Sequence, residues 1–374
     1  MTQHGFSLIE LLVGCLLLML VTAAVAAMAV PARHAFDRTL ASADLTGGTR
    51  AALERLANDV REAGSGSSVG NDLVSLSDVV ASVVPLQGLD LPPAAPGHAI
   101  RVARIPPAAP QGVLRQPAAA GDTVLVLEGA SGCSTGGDGC GLQPGTTGFI
   151  FDSARGEPVV VAAVAPGGIL HLASGLRTSF EAGAVVAAAV TTTYGLRSET
   201  DGSHRLVRIS VAGAEQPVLQ HIVAFEVHVM AAVAPMAPAI DEGHPTYGPL
   251  PPAPAVDDVR DNWGAGENCT FMRDGDGRLL ARLPPTSVGS LSPLETSSLH
   301  DGPWCSDATD AGRFDADLLR IRLVELRLRV EAASALWRGP AARLFRRPGT
   351  ERNAARWVPD VELRLAVRLR NARP

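Results

Sequence analysis

Two short segments of the sequence have the Gly-x-Ser-x-Gly spacing that presents a serine nucleophile in many hydrolases. They are Gly66–Gly70 and Gly132–Gly136. A nucleophile of this kind needs a buried strand before it and a helix after it. The first segment follows a predicted helix, and the second lies in a glycine-rich loop between two cysteines. Neither context fits, so the sequence predicts that the protein is not an enzyme.

Asp274 and Asp276 alternate with two glycines, an arrangement that can contribute oxygen ligands to a calcium loop. No full EF-hand pattern surrounds them. Asp-Gly is also a common hairpin turn signal, and the pair stands between the apolar residues Phe271 and Leu279. We therefore favour a turn, keep calcium as the alternative, and expect no other cofactor.

Four of the five cysteines lie far from the N-terminus, at Cys133, Cys140, Cys269 and Cys305. An even number suits two disulfides in an oxidising compartment. Among the three pairings that four cysteines allow, we favour Cys133 with Cys140 and Cys269 with Cys305, because each pair brackets a turn-rich loop. A zinc site is the alternative, although the sequence has no Cys-x-x-Cys pair.

Glu10 is a carboxylate inside an apolar run. The run from Phe6 to Val30, roughly 25 residues with one charged side chain and no proline, would form a helix of about 37 Å, enough to cross a bilayer core of about 30 Å. A carboxylate inside such a helix costs about 2.5–3.5 kcal/mol on insertion scales, so it needs a partner.

Three ordinary explanations of this run stay open. A cleavable secretory signal is one, because Ala27-Met28-Ala29 fits a small-residue cleavage site. Against it, Met1–Gly5 contains no Lys or Arg. A plain membrane anchor, in which Glu10 reaches the membrane interface, is the second. The third is the buried core helix of a soluble protein, which the length disfavours.

The segment Gly5-Phe6-Ser7-Leu8-Ile9-Glu10-Leu11 resembles the processing motif of type IV prepilins and type II secretion pseudopilins. The resemblance implies that a prepilin peptidase cuts after Gly5 and methylates the new N-terminal residue, Phe6. It also implies that Glu10 faces the N-terminal amine of a neighbouring subunit when helices stack into a fibre. That ammonium would offset the buried carboxylate. The run Arg50–Gly64 resembles the corresponding helix end of PilW-type minor pilins.

The resemblance also implies a role and a set of partners. The chain would be a minor pilin, a structural subunit that takes part in type IV pilus assembly and primes the fibre or sits at its tip. The alternatives are a J-type minor pseudopilin of a type II secretion system, and a tip-located adhesin or DNA-uptake module. Partners would be other minor pilins and the major pilin through the N-terminal helix, the prepilin peptidase, the inner-membrane assembly platform and the lipid bilayer. The protein would cross the inner membrane once, carry a periplasmic head and enter an extracellular fibre.

The overall composition restricts the partners. A net charge of −6 and a pI near 5.9 argue against a nucleic-acid-binding protein, although the arginines between Arg343 and Arg352 form a local exception. With 374 residues and 46% hydrophobic content, the chain can build a sizeable core.

These motifs belong in an α+β fold, in which a long N-terminal hydrophobic helix packs on a head rich in antiparallel β-sheet. We predict a leader peptide at 1–5, a transmembrane and assembly helix at 6–30, the amphipathic half of that helix at 31–64 and a β-rich periplasmic head at 65–374. Pro31 marks a kink or a short break. Beyond it, Leu53, Leu56 and Val60 recur at helical spacing until the run that begins with Gly64 stops the helix.

Apolar or alternating runs predict the strands of the head. The predicted strands are Ile100–Ile105, Thr123–Leu127, Phe149–Phe151, Val159–Val164, Ile169–Leu172, Val185–Val190, Leu206–Val211, Ile222–Met230, Asp317–Glu331 and Val361–Leu369. In Asp317–Glu331 the apolar positions change from odd to even after Leu323, as at a β-bulge. We expect the last two strands to be neighbours in the sheet that packs on the helix. The Pro/Ala-rich runs Pro106–Pro117 and Ala234–Pro254 are predicted loops or linkers.

Overall fold

The computed structural model has an α+β architecture, with a long N-terminal helix followed by a head of antiparallel β-sheets. By its internal contacts the chain divides into two compact units, residues 1–51 with 329–362 and residues 52–328 with 363–374. The residues that the structure describes are 8–69, 75–87, 98–129, 132–134, 137–153, 155–211, 213–232, 271–273, 279–281, 291–294, 316–349 and 357–371.

The helix α1 runs without interruption from Leu8 to Arg61, over 54 residues, with Pro31 inside it. A proline removes one backbone hydrogen bond and crowds the preceding turn. The long leucine- and alanine-rich stretches on either side of Pro31 favour helix strongly enough to continue through it. The short break that we considered at Pro31 is therefore wrong. The helix ends close to the predicted stop, since Gly64 adopts a left-handed conformation with φ of 68° and donates its N–H to the Ala103 carbonyl at 2.9 Å.

The strands of the described residues are numbered in chain order. They are β1 Val83–Gln87, β2 His98–Arg104, β3 Gln111–Val113, β4 Val124–Val126, β5 Thr147–Phe151, β6 Gly156–Ala165, β7 Ile169–Leu172, β8 Val185–Ala188, β9 Val190–Ser198, β10 His204–Ser210, β11 Glu215–Leu219, β12 Ile222–Ala232, β13 Phe271–Arg273, β14 Leu279–Ala281, β15 Leu291–Leu294, β16 Ile321–Val330 and β17 Val361–Arg368.

A five-stranded antiparallel sheet in the order β1-β2-β9-β10-β11 forms one part of the larger unit. Its strands β2 and β9 are distant in sequence but lie side by side, with Ile100 opposite Tyr194 and Arg104 opposite Val190. Ile100 and Tyr194 are fully buried, so this pair of strands contributes to the core.

The chain between β2 and β9 builds a second sheet, in the order β3-β8-β5-β6-β7-β4. The two edge strands of this sheet meet, because Arg115 donates its N–H to the Val126 carbonyl at 2.9 Å and Glu128 donates to the Val113 carbonyl at 2.7 Å. The six strands therefore close into a barrel, which leaves no free sheet edge. The buried hydrophobic residues of the barrel form a separate cluster, among them Leu114, Leu125, Leu127, Ile150, Leu170, Phe180 and Val186.

A four-stranded sheet has the order β15-β12-β16-β17, which makes β16 and β17 neighbours as predicted. Burial along β16 shows the predicted change of phase, since Ile321 is buried at an odd position and Val324, Leu326 and Leu328 at even ones. The predicted strand Asp317–Glu331 began too early, because residues Ala316–Arg320 form a 3-10 helix.

Some predicted boundaries in the head were wrong. The run Pro106–Pro117 was predicted as a loop or linker, yet it contains β3, whose backbone pairs with β8. The predicted strand Val185–Val190 contains all of β8 and the first residue of β9, and these two strands belong to different sheets. Ala234–Pro254 lies outside the described residues.

Candidate assembly helix and its anchorage

The apolar half of α1 exposes its side chains along its whole length. Leu8 is 76% exposed and Met28 is 79% exposed, and the leucines and valines between them are exposed to similar degrees. The helix is long and apolar enough to cross a membrane, and none of its most apolar stretch is buried within the protein. An apolar surface of this size marks a contact with lipid or with other apolar helices.

Glu10 lies in the first turn of α1, exposed between the apolar residues Ile9 and Leu11. Its carboxylate offers acceptor oxygens and a negative charge on an otherwise apolar surface, so it can bind a cation or a hydrogen-bond donor. The predicted cleavage and methylation residues Gly5 and Phe6 lie outside the described residues.

The polar side chain of Thr22 within the apolar half of α1 is satisfied inside the helix. Its hydroxyl donates to the carbonyls of Leu18 and Met19, at 2.8 and 3.0 Å. A hydroxyl that is hydrogen-bonded in this way adds little to the free-energy cost of transferring the helix into an apolar medium. It therefore presents no obstacle to membrane insertion.

The last turns of α1 have a buried apolar stripe. Leu53, Leu56, Ala57 and Val60 recur at steps of one and three residues, as on one face of a helix, and each is at most 4% exposed. The same helix thus has an exposed apolar surface near its beginning and a buried apolar face near its end.

The end of the helix forms hydrogen bonds and ion pairs with the five-stranded sheet. The Tyr194 hydroxyl on β9 donates a hydrogen bond to Asp59 Oδ2 at 2.7 Å. The guanidinium Nε atoms of Arg104 and Arg208, on β2 and β10, lie 3.8 and 3.5 Å from the Asp59 carboxylate. Burial and the neighbouring Asp59 carboxylate raise the pKa of the Tyr194 hydroxyl above its usual value, so it stays protonated as a donor.

We expected the helix to pack on the sheet that contains β16 and β17. The described side-chain hydrogen bonds and ion pairs from the last turns of the helix to the sheets run to the five-stranded sheet, including one between Arg55 and Gln216 of β11. The chain that follows β17 also contacts the helix end, where Arg370 donates its backbone N–H to the Arg61 carbonyl at 3.4 Å.

Residues 1–26 match the family model described as the prokaryotic N-terminal methylation motif. This match covers the part of the chain that contains Glu10 and most of the exposed apolar surface. The chain carries the N-terminal signature of type IV pilins and pseudopilins. None of the curated protein sequences matches the chain at a significant level.

The motif supports a pilin-like or pseudopilin-like protein in general, and the family that carries this motif is structural rather than enzymatic. Proteins with this motif associate with other pilus components and are processed by a prepilin peptidase. The exposed apolar helix fits a membrane-anchored pilin.

The structure joins Cys133 and Cys140 by a disulfide with a Cα–Cα distance of 5.0 Å. Cys140 is buried in the barrel core, and Cys133 forms a β-bridge with Gly112 at the end of the sheet. The second expected pair, Cys269 with Cys305, lies outside the described residues. Cys15 is a free, exposed thiol in the apolar part of α1.

The aspartates considered for calcium, Asp274 and Asp276, also lie outside the described residues. The strands that flank them pair antiparallel, with Arg273 opposite Leu279, which is the arrangement that a hairpin turn requires. Within the described ranges, no group of three or more His, Cys, Asp or Glu side chains could hold a metal ion.

The two serines at the centre of the Gly-x-Ser-x-Gly matches have structural contacts. Ser68 donates its backbone N–H to Gln111 Oε1 at 2.9 Å. The Ser134 hydroxyl donates to the Ala109 carbonyl at 3.0 Å and accepts from the Gln111 N–H at 2.8 Å. These bonds attach the surrounding loops to β3, the strand whose existence the sequence did not indicate.

Proposed function

We propose that this protein is a minor pilin, a structural subunit that takes part in the assembly of a type IV pilus and primes the fibre or sits at its tip. The observation that carries the proposal is the exposed apolar surface of α1 with Glu10 inside it, in the part of the chain that matches the methylation motif. An apolar helix with one carboxylate is suited to lateral packing with other helices that place a cation at the same depth in the membrane.

Processing would supply that cation. Cleavage after Gly5 creates a new ammonium at Phe6, and methylation of the amine keeps its positive charge. When a neighbouring subunit stacks alongside, its ammonium neutralises the Glu10 carboxylate, which lowers the cost of holding that charge away from water. A subunit whose Glu10 carboxylate has no such neighbour bears the full free-energy cost of a charge held away from water. The pair of Glu10 and the neighbouring ammonium would therefore set the axial register of the stacked helices.

The proposed organisation follows the same logic. Residues 1–5 are a leader, 6–30 the transmembrane and assembly helix, 31–64 its amphipathic continuation and 65–374 a periplasmic head. The buried stripe at Leu53–Val60 and the Asp59 contacts support the distinction between the two halves of the helix. The disulfide between Cys133 and Cys140 supports an oxidising compartment for the head.

The inserted barrel supports the role of a minor subunit rather than the major subunit of the fibre. A major subunit is surrounded by copies of itself on all sides, so bulk added to its head must fit between neighbours. Residues 105–189 add a complete barrel to the head, which a subunit at the tip accommodates without such a restriction.

Mass spectrometry of the protein purified from membranes tests the processing step. We expect a mature chain that begins at an N-methylated Phe6. A chain that begins near Val30 would instead identify a cleaved secretory signal and would overturn the proposal.

Substitution of Glu10 tests the assembly step. Glu10→Gln keeps the size of the side chain and removes its charge, so it should leave membrane insertion intact and strongly reduce fibre formation in cells that lack the wild-type chain. Glu54→Gln is the matched control, because Glu54 is exposed on the same helix outside the apolar part. Normal fibres with Glu10→Gln would contradict the proposal. Loss of protein secretion with intact surface fibres, on deletion of the chain, would assign it to the J-type pseudopilins.

A further inference from the structure

Residues 105–189 leave and re-enter the five-stranded sheet at a single point. Arg104 at the end of β2 lies directly opposite Val190 at the start of β9, so a short turn would be enough to join the two strands. The intervening chain instead forms a closed barrel with its own hydrophobic cluster. A module of this kind is not needed to complete the sheet on which the helix end packs, so it is available for a separate function.

A cleft of about 360 Å³ opens in this barrel, beside the β6–β7 turn and the contact between β3 and β4. Its lining includes three charged side chains, Arg115, Glu128 and Asp138, together with the Cys133–Cys140 disulfide and several glycines. This volume is in the range of small-molecule binding sites.

The charges in the cleft do not neutralise one another. Among the residues that the structure describes, no hydrogen bond or ion pair is formed by the Arg115 guanidinium or the Glu128 carboxylate. The Asp138 carboxylate accepts a single long hydrogen bond, 3.4 Å from the Gly167 nitrogen. Opposite charges that share a cleft without pairing leave room between them for a ligand that carries both signs.

The frame of the cleft is held in place by close packing. Cys140 is 1% exposed, and the disulfide links it to Cys133 at the rim. A Cβ atom at Gly112 would lie 2.7 Å from Cys140 Sγ, and one at Gly132 would lie 2.6 Å from Glu128 Oε2. These glycines allow the disulfide and the Glu128 carboxylate to approach the backbone closely, so the disulfide and Glu128 form a closely packed frame on this side of the cleft.

We propose that this cleft binds a small zwitterion that carries a carboxylate and an ammonium group, as a free amino acid or a short peptide does. Arg115 binds the carboxylate, for which the planar guanidinium is suited because it can donate two parallel hydrogen bonds. Glu128 and Asp138 accept hydrogen bonds from the ammonium. The site belongs to the barrel and is independent of the role of α1 in assembly.

Calorimetric titration of the full-length protein in detergent tests the proposal, with the dipeptide Ala-Ala as the probe. We expect binding with a dissociation constant of about 1 mM or lower. The neutral analogue N-acetyl-Ala-Ala-amide should not bind, because it lacks both charges. Titration with free alanine identifies the source of the ligand, since tighter binding of alanine indicates an amino acid and tighter binding of Ala-Ala indicates a peptide.

Single substitutions locate the site. Arg115→Gln and Glu128→Gln should each weaken binding of Ala-Ala at least tenfold. The matched controls Arg101→Gln and Glu181→Gln change exposed residues outside the cleft lining and should leave the affinity unchanged. Unaltered thermal unfolding of all four variants would show that the fold is intact. No binding of Ala-Ala at 20 mM by the folded wild-type protein, or equal affinity with and without Arg115, would overturn the proposal.

Discussion

The Tyr194 hydroxyl donates a hydrogen bond to Asp59 Oδ2 across 2.7 Å, and this bond joins residues that are 135 positions apart in the chain. Tyr194 is fully buried in the five-stranded sheet, and Asp59 lies on the last turns of α1. Arg104 and Arg208 approach the same carboxylate from two other strands. Asp59 therefore joins the last turns of α1 to three strands of the five-stranded sheet through one side chain.

Replacement of Asp59 should destabilise the head. Asp59→Ala removes the acceptor of the Tyr194 hydroxyl and leaves two partly buried arginines without this carboxylate, at a cost of about 2 kcal/mol in the free energy of unfolding. Tyr194→Phe removes the hydroxyl alone and should cost about 1 kcal/mol. Chemical unfolding of the detergent-solubilised protein measures both values. Asp44→Ala is the control, since Asp44 is exposed on the same helix; an equal loss of stability in that variant would refute the role of Asp59.

The ion pair between Glu226 and Arg327 should make stability depend on pH in the acid range. Arg327 Nη1 lies 2.9 Å from both Glu226 carboxylate oxygens. Burial alone raises the pKa of Glu226, but the hydrogen bonds and charges of Arg327 and, to a smaller extent, of His228 outweigh burial and hold the pKa below its ordinary value of 4.5. Since the folded state thus has the lower pKa, the pair stabilises the protein above the unfolded-state value, and this stabilisation is lost as the pH falls through the folded-state value.

Unfolding free energies measured between pH 3 and pH 7 check this dependence. The wild type should exceed Glu226→Gln by about 0.5–1 kcal/mol at pH 7, and the difference should shrink as the pH falls below about 4.5. Glu325→Gln changes an exposed glutamate on β16 of the same sheet and should show no comparable pH dependence. A constant difference between wild type and Glu226→Gln across the pH range would disprove the assignment.

Glu331 should be among the residues most sensitive to substitution. It is 2% exposed, and its carboxylate lies 3.3 Å from Arg338 Nη1 and 3.8 Å from Arg347 Nη2. Glu331→Ala leaves the buried Arg338 without its carboxylate partner, which should cost about 3 kcal/mol. Thermal unfolding and limited proteolysis within residues 331–349 report the effect.

The double variant Glu331→Met with Arg338→Met distinguishes a buried charge from a packing effect. Apolar replacement of both partners removes the unpaired charge, so this variant should regain most of the lost stability. A double variant as unstable as Glu331→Ala would show that shape rather than charge determines the effect. Glu325→Ala serves as the exposed control.

The sequence alone was sufficient to predict the features that depend on residues close together in the chain. The exposed apolar half of α1 and the position of Glu10 follow from an uninterrupted apolar run. The strand β17 follows from strict alternation between Val361 and Leu369, and its burial alternates in the same way. The stop of the helix follows from Gly64, which supplies the left-handed conformation found there.

The features that the sequence did not reveal depend on contacts between distant residues. Three-residue strand β3 lies among prolines and has no alternation of its own, and it is a strand because β8 supplies its partners. The closure of the barrel depends on the pairing of Leu114 with Leu127, which no local pattern encodes. Tyr194 offered a weak signal, because it follows a run of β-branched residues that is typical of a strand, and a buried tyrosine needs a partner for its hydroxyl.

The disulfide between Cys133 and Cys140 should stabilise the barrel more than the rest of the head. The two cysteines are 7 positions apart, and closing a loop of this size in the unfolded chain is worth about 2.5 kcal/mol in the chain-entropy account. The variant with both cysteines changed to alanine avoids placing a polar group at Cys140, which is buried in the barrel core. It should therefore lose about 2.5 kcal/mol or somewhat more, because the small cavity that alanine leaves adds to the loss of the loop constraint.

Hydrogen exchange measured by mass spectrometry locates this loss. Backbone amides of β3, β6 and β7 should exchange faster in the double-alanine variant, because the segment that contains Cys140 packs beside them, whereas amides of β9 and β10 should keep their protection. Cys15→Ala is the control, since Cys15 is a free thiol in α1. Faster exchange spread evenly over β9 and β10 as well would mean that the barrel and the five-stranded sheet unfold together, and the barrel would then not be a separate cooperative module.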